Sequence, residues 1–210
     1  MKHINHHIEN SMLAEYADGR LDYATSLVVA AHVSLCNTCR AEMETFDALS
    51  GAMFQSVKTI APTAKLENDI LKAIHTSPAT SRQKPVGPYP QPVMDALDGQ
   101  EPKWKSLGPG IKQHIISRDK KSSVRLLRIE AGKPAPEHSH HGQELTLVLQ
   151  GAFGDKTGEF HVGDVEIVDG DLEHQPIAMQ GQTCICLAST SDNLIFKSIL
   201  PRVFQPIFRI

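Results

Sequence analysis

With 210 residues and a net charge of −3, the chain can bury one large core or two modest ones, and it lacks the basic stripe of a protein that grips nucleic acid by its phosphates. No apolar run reaches membrane-spanning length, the longest being Leu27 to Ala31, and no signal-peptide apolar core follows Met1. The four cysteines fall in two close pairs, Cys36/Cys39 and Cys184/Cys186, which a reducing cytoplasm leaves as thiols able to bind metal, so a cytoplasmic protein is expected.

From Asn10 to His75 the apolar spacing is helical. Asn10 or Ser11 can cap a first helix carrying Leu13, Tyr16 and Ala17, which stops at Asp18-Gly19. A second runs from about Asp22 to Ser34. Its centre, Leu27 to Ala31, is apolar nearly all round, so it is either covered on more than one side or expects a partner. A third begins near Asn37 with Met43, Phe46, Leu49 and Met53 in one stripe, which serves as core or as a docking surface. After the break at Ala61-Pro62, a fourth helix sets Leu66, Ile70, Leu71 and Ile74 in register.

Between the second and third helices lies His32-x3-Cys36-x2-Cys39. His32 and Cys36 are four apart and share a helix face, and a turn brings Cys39 onto the same ion. Such a donor set suits zinc, whose closed sites need a fourth ligand, and His6 or His7 can supply it. A Cys-x2-Cys redox pair is the alternative, but that motif sits between a strand and a helix and no strand pattern precedes Cys36. A plainer alternative is a surface histidine beside two small buried cysteines.

Thr76 to Pro92 carries Pro78, Pro85, Pro88, Pro90 and Pro92 among polar residues, a density that neither a helix nor a central strand tolerates. It divides the chain into a helical domain, 1–77, a proline-rich linker, 78–92, and a β domain, 93–210. The helical part holds six Lys and Arg against nine Asp and Glu, which suits a partner with a basic surface.

Beyond Trp104 the period becomes two. Strands are expected at 111–115, 123–129, 145–149, 159–162, 165–168 and 183–187, enough short strands for a sandwich or barrel. Within them stands Gly132-x5-His138-x-His140-x3-Glu144-x6-Gly151. His138, His140 and Glu144 share strand parity and can point into one barrel, and His174 offers a fourth inward ligand. Three imidazoles and a carboxylate fit Zn, Fe, Mn, Ni or Cu. His141 breaks the alternation and is expected outside or on the rim. Cys184 and Cys186 face one side of a strand, as core residues or as an oxidisable thiol pair.

Residues 132–151 resemble the first motif of the cupin family at every position. The second cupin motif is matched in part: Gly163 and His174 are in place, while Asp169, Asp171 and Ala178 stand where proline, glycine and asparagine are usual. The His32/Cys36/Cys39 run resembles the signature of zinc-binding anti-sigma factors, and the order of helical zinc domain, linker and cupin is similar to the ChrR-type anti-sigma factors along essentially the whole chain. The fold class implied is multidomain α + β: a small zinc-bound bundle of about four helices followed by a cupin β-barrel or jelly roll.

That resemblance implies a regulator rather than an enzyme, with no catalytic residues. Its helical domain would bind an extracytoplasmic-function sigma factor and keep it from RNA polymerase and promoter DNA, without touching nucleic acid or membrane itself. His7 is the closest positional match for the histidine completing the N-terminal zinc site, with His6 the alternative. The cupin would sense oxidative stress, singlet oxygen or organic hydroperoxide, through a metal on His138, His140, Glu144 and His174, zinc by likeness and Fe, Mn or Ni by ligand type. Partner contacts are expected from the apolar helix faces, with Leu27, Val28, Phe46, Met53 and Phe54 as candidates. Two rivals remain: a cupin dioxygenase or isomerase with a helical oligomerisation arm, using His141 or Glu173 as base, and a zinc-dependent interaction protein with another partner.

Overall fold

Asp22 fixes the start of the helix around which the N-terminal part is built. Its carboxylate accepts the backbone N–H groups of Ala24 and Thr25 at 2.9 and 3.2 Å, which caps α2 (Tyr23–Leu35). A computed structural model describes residues 3–76, 87–135, 138–140, 142–170, 175–191 and 194–196, with 138–140 and 194–196 described by backbone alone. α1 (Asn10–Ala17) and α3 (Asn37–Phe54) pack against α2 on one side. α1 begins at Asn10 itself, with Glu9 at the cap position and no side-chain bond there.

The other side of α2 meets α5 (Gln91–Ala96) and a large antiparallel sheet. The strands are β1 (Lys105–Gly108), β2 (Ile111–Arg118), β3 (Ser123–Ile129), β4 (His138–His140), β5 (Glu144–Gln150), β6 (Ala152–Gly154), β7 (Glu159–His161), β8 (Val165–Val168), β9 (Ile177–Ala178), β10 (Cys184–Thr190) and β11 (Leu194–Phe196). Six of them form one sheet in the order β1-β2-β3-β10-β5-β8; β7-β6-β9 and β11-β4 form two smaller ones. Phe153, Phe160 and Ala178 of the three-stranded sheet pack on Val148, Cys184 and Cys186 of the large one, making the inner core of the cupin.

The outer face of the large sheet is covered as well. Leu126, Leu145, Leu147 and Leu187 share a second core with Leu13, Val28, Val29 and Val93 from the helices. Burial on both faces is why β5 and β10 read as nearly continuous apolar runs, whereas most antiparallel sheets show water one face. Each such buried leucine or valine is worth about 1.5–3 kcal/mol.

This packing settles what the all-round apolar centre of α2 is for: it is enclosed by α1, α3, α5 and the sheet. Leu27 and Val28, expected on a partner surface, are 7% and 0% exposed and belong to the shared core. The second half of the proline-rich stretch is also packed: Tyr89 is buried, Pro90 precedes α5 as its N-cap, and Val93 and Met94 are in the core. The other linker residues, 78–86, lie outside the described residues.

The opposite holds for the end of α3 and for α4 (Ala64–Thr76). α4 has no buried residue, and Leu66, Ile70, Leu71 and Ile74 are each about half exposed or more. Met53 and Phe54 close α3 in the open, 68% and 74% exposed, followed by Val57 and Ile60. Phe46, further back on α3, is half-buried against the core.

Candidate metal centre

α2 ends because Cys36 leaves the helical region, at φ −102° and ψ 111°, and the same residue caps α3, its Sγ accepting the Cys39 N–H at 3.5 Å. That corner sets His32 in the last turn of α2 beside Cys39 in the first turn of α3. The extended segment before α1 brings in His7. The Nδ1 of His7 lies 3.3 Å from Cys36 Sγ and 3.6 Å from Cys39 Sγ, and the Nε2 of His32 lies 3.2 Å from Cys39 Sγ. The four donor atoms all fall within 4.8 Å of one another. A tetrahedral zinc with bonds of about 2.0–2.3 Å needs donors roughly 3.3–3.8 Å apart, so the cluster is the size and chemistry that zinc takes.

Of the two neighbouring histidines, it is His7 that reaches the cysteines. His6 turns the other way, packing at a 44° tilt on Phe160 at 4.5 Å between centroids, with its Nδ1 3.5 Å from an Asp164 carboxylate oxygen. Electrostatics prepare the donors. Burial lowers the His32 pKa to about 4, against the pull of the Gly163 carbonyl that it bonds, so the ring is neutral and its Nε2 carries a lone pair. Burial pushes the Cys39 thiol up to about 11, opposed by the Ile8 N–H, so a thiolate there needs a cation beside it. A tetrahedral ion on these four protein donors would have no open coordination position, as in structural rather than catalytic sites.

The second constellation is described in part. Glu144 is buried at the start of β5, where it accepts a hydrogen bond from Thr146 Oγ1 at 3.4 Å. His138 and His140 alternate on β4, which pairs with β11, and their side chains are not among the described residues. His174 and His141 lie outside the described residues altogether. Cys184 and Cys186 sit side by side in the inner core with their sulfurs 3.4 Å apart, both as thiols. The bond from Cys184, together with burial, pushes the Cys186 thiol well above its ordinary value.

Two residues that carry no motif stand out. Arg125 is 4% exposed and bonds Ser123 Oγ at 2.6 Å and Gln113 Oε1 at 3.3 Å; burial lowers its pKa to about 10 while Glu144 raises it. Only its strand parity with Leu127 and Ile129 could have placed it on the inner face. Asp164, 0% exposed, had one signal, its place directly after Gly163 of the second cupin motif.

Over 99% of its length the chain is 41% identical to the anti-sigma-E factor ChrR of Cereibacter sphaeroides, and the match spans 99% of that protein. The chain belongs to the ChrR family of anti-sigma factors. Residues 94–192 match the family described as the ChrR cupin-like domain. Among solved structures, the Rhodobacter sphaeroides SigE complex with the anti-sigma ChrR superposes with a TM-score of 0.77 at 39% identity, covering 90% of this chain and 100% of that one. The fold class read from the sequence, helices followed by a cupin, is the ChrR architecture. The His7/His32/Cys36/Cys39 cluster is thus a feature of a ChrR-family chain.

Proposed function

We propose that this chain is a zinc-dependent anti-sigma factor that sequesters an extracytoplasmic-function sigma factor in the cytoplasm, and that its cupin triggers release under oxidative stress. The observation that carries the reading is the closed four-donor cluster in a chain that aligns end to end with an anti-sigma factor. His7, His32, Cys36 and Cys39 hold zinc in this reading, and the ion clasps the corner between α2 and α3. No helix among the described residues is long and apolar enough to cross a membrane.

The sigma factor docks on the exposed end of α3 and on α4, through Met53 and Phe54 with Phe46 at the margin. Leu27 and Val28 act from beneath, by holding α2 on the sheet. The helical part, 1–77, supplies the inhibitory surface, and 93–210 supplies the sensor. The enzyme reading, a cupin dioxygenase or isomerase, is not favoured by a likeness that runs through the helices as well as the cupin. Titrating the chain into its sigma factor, with a run-off transcription assay alongside, tests the reading; a chain that leaves transcription untouched would contradict it.

Zinc binding should show its ligand chemistry in its pH dependence. Cys39 carries its proton up to about pH 11 in the metal-free chain and must lose it on binding, so affinity rises with pH across the neutral range. Calorimetry in buffers of different ionisation enthalpy should register proton release; zinc uptake without it would exclude Cys39 as a ligand.

His138, His140, Glu144 and His174 hold the sensor's metal in this proposal, zinc or one of iron, manganese and nickel, with Cys184 and Cys186 in the inner core beside Val148. Glu144→Ala and His138→Ala are expected to leave basal inhibition intact and to blunt release after exposure to singlet oxygen or an organic hydroperoxide. A reporter driven by the sigma factor reads both; normal induction in these variants would remove the sensing role from that site.

A further inference from the structure

We propose that Asp164 and the adjoining Gly163 carbonyl, on the cupin turn between β7 and β8, are positioning groups for the N-terminal zinc site, so that the cupin holds two of its four ligands in place. The inference rests on the reading of His7, His32, Cys36 and Cys39 as zinc ligands. Cys36 and Cys39 need no such help, since the corner between α2 and α3 sets them. His7 sits on an extended segment with no helix of its own, and His32 must present one particular ring nitrogen.

The turn meets both needs. Asp164 Oδ1 accepts the backbone N–H of Asn5 at 2.7 Å and of His6 at 3.0 Å, while its Oδ2 accepts the His161 N–H at 2.8 Å and lies 3.5 Å from His6 Nδ1. The Val165 N–H donates back to the His6 carbonyl at 3.3 Å. The residue preceding His7 is thus gripped at both its N–H and its C=O. On the other ligand, His32 Nδ1 lies 2.9 Å from the Gly163 carbonyl. A carbonyl only accepts, so Nδ1 carries the hydrogen and Nε2 keeps the lone pair, aimed at the cysteines. Gly163 has φ +96°, a backbone conformation that disfavours any side chain, and a Cβ there would press on Ile4 Cδ1 at 2.6 Å, so the N-terminal segment seats directly on this glycine.

The carboxylate is also held in its charged form. Burial works to raise its pKa, but the N–H groups of His161, His6 and Asn5, and the nearby His6 ring, keep it below the usual carboxylate range. The same turn begins β8, whose far end pairs Val168 with Glu144. One four-residue strand therefore separates the groups that orient the zinc ligands from a candidate ligand of the cupin metal. Coupling between two such sites must be reciprocal, so zinc loading should tighten the turn as the turn tightens zinc.

The test uses the full chain and follows the zinc equivalent that Cys36→Ser removes. Asp164→Ala deletes the acceptor, and Asn5→Pro deletes one donor while leaving the cupin unaltered. Both are expected to lower zinc affinity by about 10- to 100-fold in competition with a chromophoric chelator. Hydrogen exchange in β5 and β10 should match the parent, and in the parent zinc should slow exchange at Asn5, His6 and Val165. Parental zinc affinity in both variants would overturn the proposal, as would zinc-independent exchange at those three amides. Should Asp164→Ala loosen the sheet, Asn5→Pro decides. If the parent binds no zinc that Cys36→Ser removes, it is the zinc reading that fails, a result distinct from zinc bound equally by parent and variants.

Discussion

Replacing Cys36 or Cys39 by serine is expected to abolish the sigma-factor complex, lowering affinity by at least about a hundredfold, while the β-sheet stays folded. The reason lies in what each residue does besides binding metal. Cys36 caps α3 through its Sγ, and serine is itself a good N-cap, so Cys36→Ser keeps the start of the helix and removes only the zinc ligand. A hydroxyl is no substitute for thiolate on zinc, and three remaining donors leave the site open. Zinc in small domains contributes on the order of 10 kcal/mol or more to folding, and in the proposed site that stabilisation would fall on the corner that aims α3. Elemental analysis with calorimetric titration against the sigma factor checks it: one zinc fewer and no binding heat are expected.

A second contrast separates core from proposed docking surface on neighbouring helices. Phe54→Asp is expected to leave thermal stability within about 0.5 kcal/mol of the parent, because the ring is 74% exposed. It should nevertheless cost about 2–4 kcal/mol of sigma-factor binding, roughly 30- to 1000-fold, as an aromatic anchor does when replaced by a charge. Val28→Asp should behave in the reverse manner. With 0% exposure in the core between α2 and the sheet, its carboxylate would be buried without a partner, and several kcal/mol of stability should be lost before binding is tested. Thermal melts and titrations on the two variants make the comparison. Normal binding by Phe54→Asp would move the docking surface away from the end of α3.

The same pair of residues shows how far the sequence could be read. The starts of α2, α3 and α4 were legible because Asp22, the His32–Cys39 turn and the Ala61-Pro62 break act locally, whereas the Asn10 or Ser11 cap was misplaced and α5 was not foreseen; the strands at 123–129 and 165–168 lie where period and turns place them. His32, Cys36 and Cys39 were legible as candidate metal donors for a similar reason, since spacing on a helix fixes which side chains share a face. Which apolar face meets the sheet and which meets a partner is not a local property. Val28 and Phe54 look alike in sequence, and only the docking of α2 on the outer face of β5 and β10 separates them. Residue chemistry left both His6 and His7 open and only the family likeness favoured His7; in the structure Asp164, more than a hundred residues away, holds the backbone so that His7 points at the cysteines. Arg125 was hidden because a buried guanidinium reads as a surface residue until its Gln113 and Ser123 partners are seen.

Stripping zinc from the purified full chain, and then titrating it into the sigma factor before and after the metal is returned, bears most directly on the central claim. Zinc-dependent sequestration predicts a one-to-one complex with the zinc-loaded chain, none after stripping, and recovery on adding back one equivalent. A stripped chain that binds the sigma factor as tightly as the loaded one would contradict it.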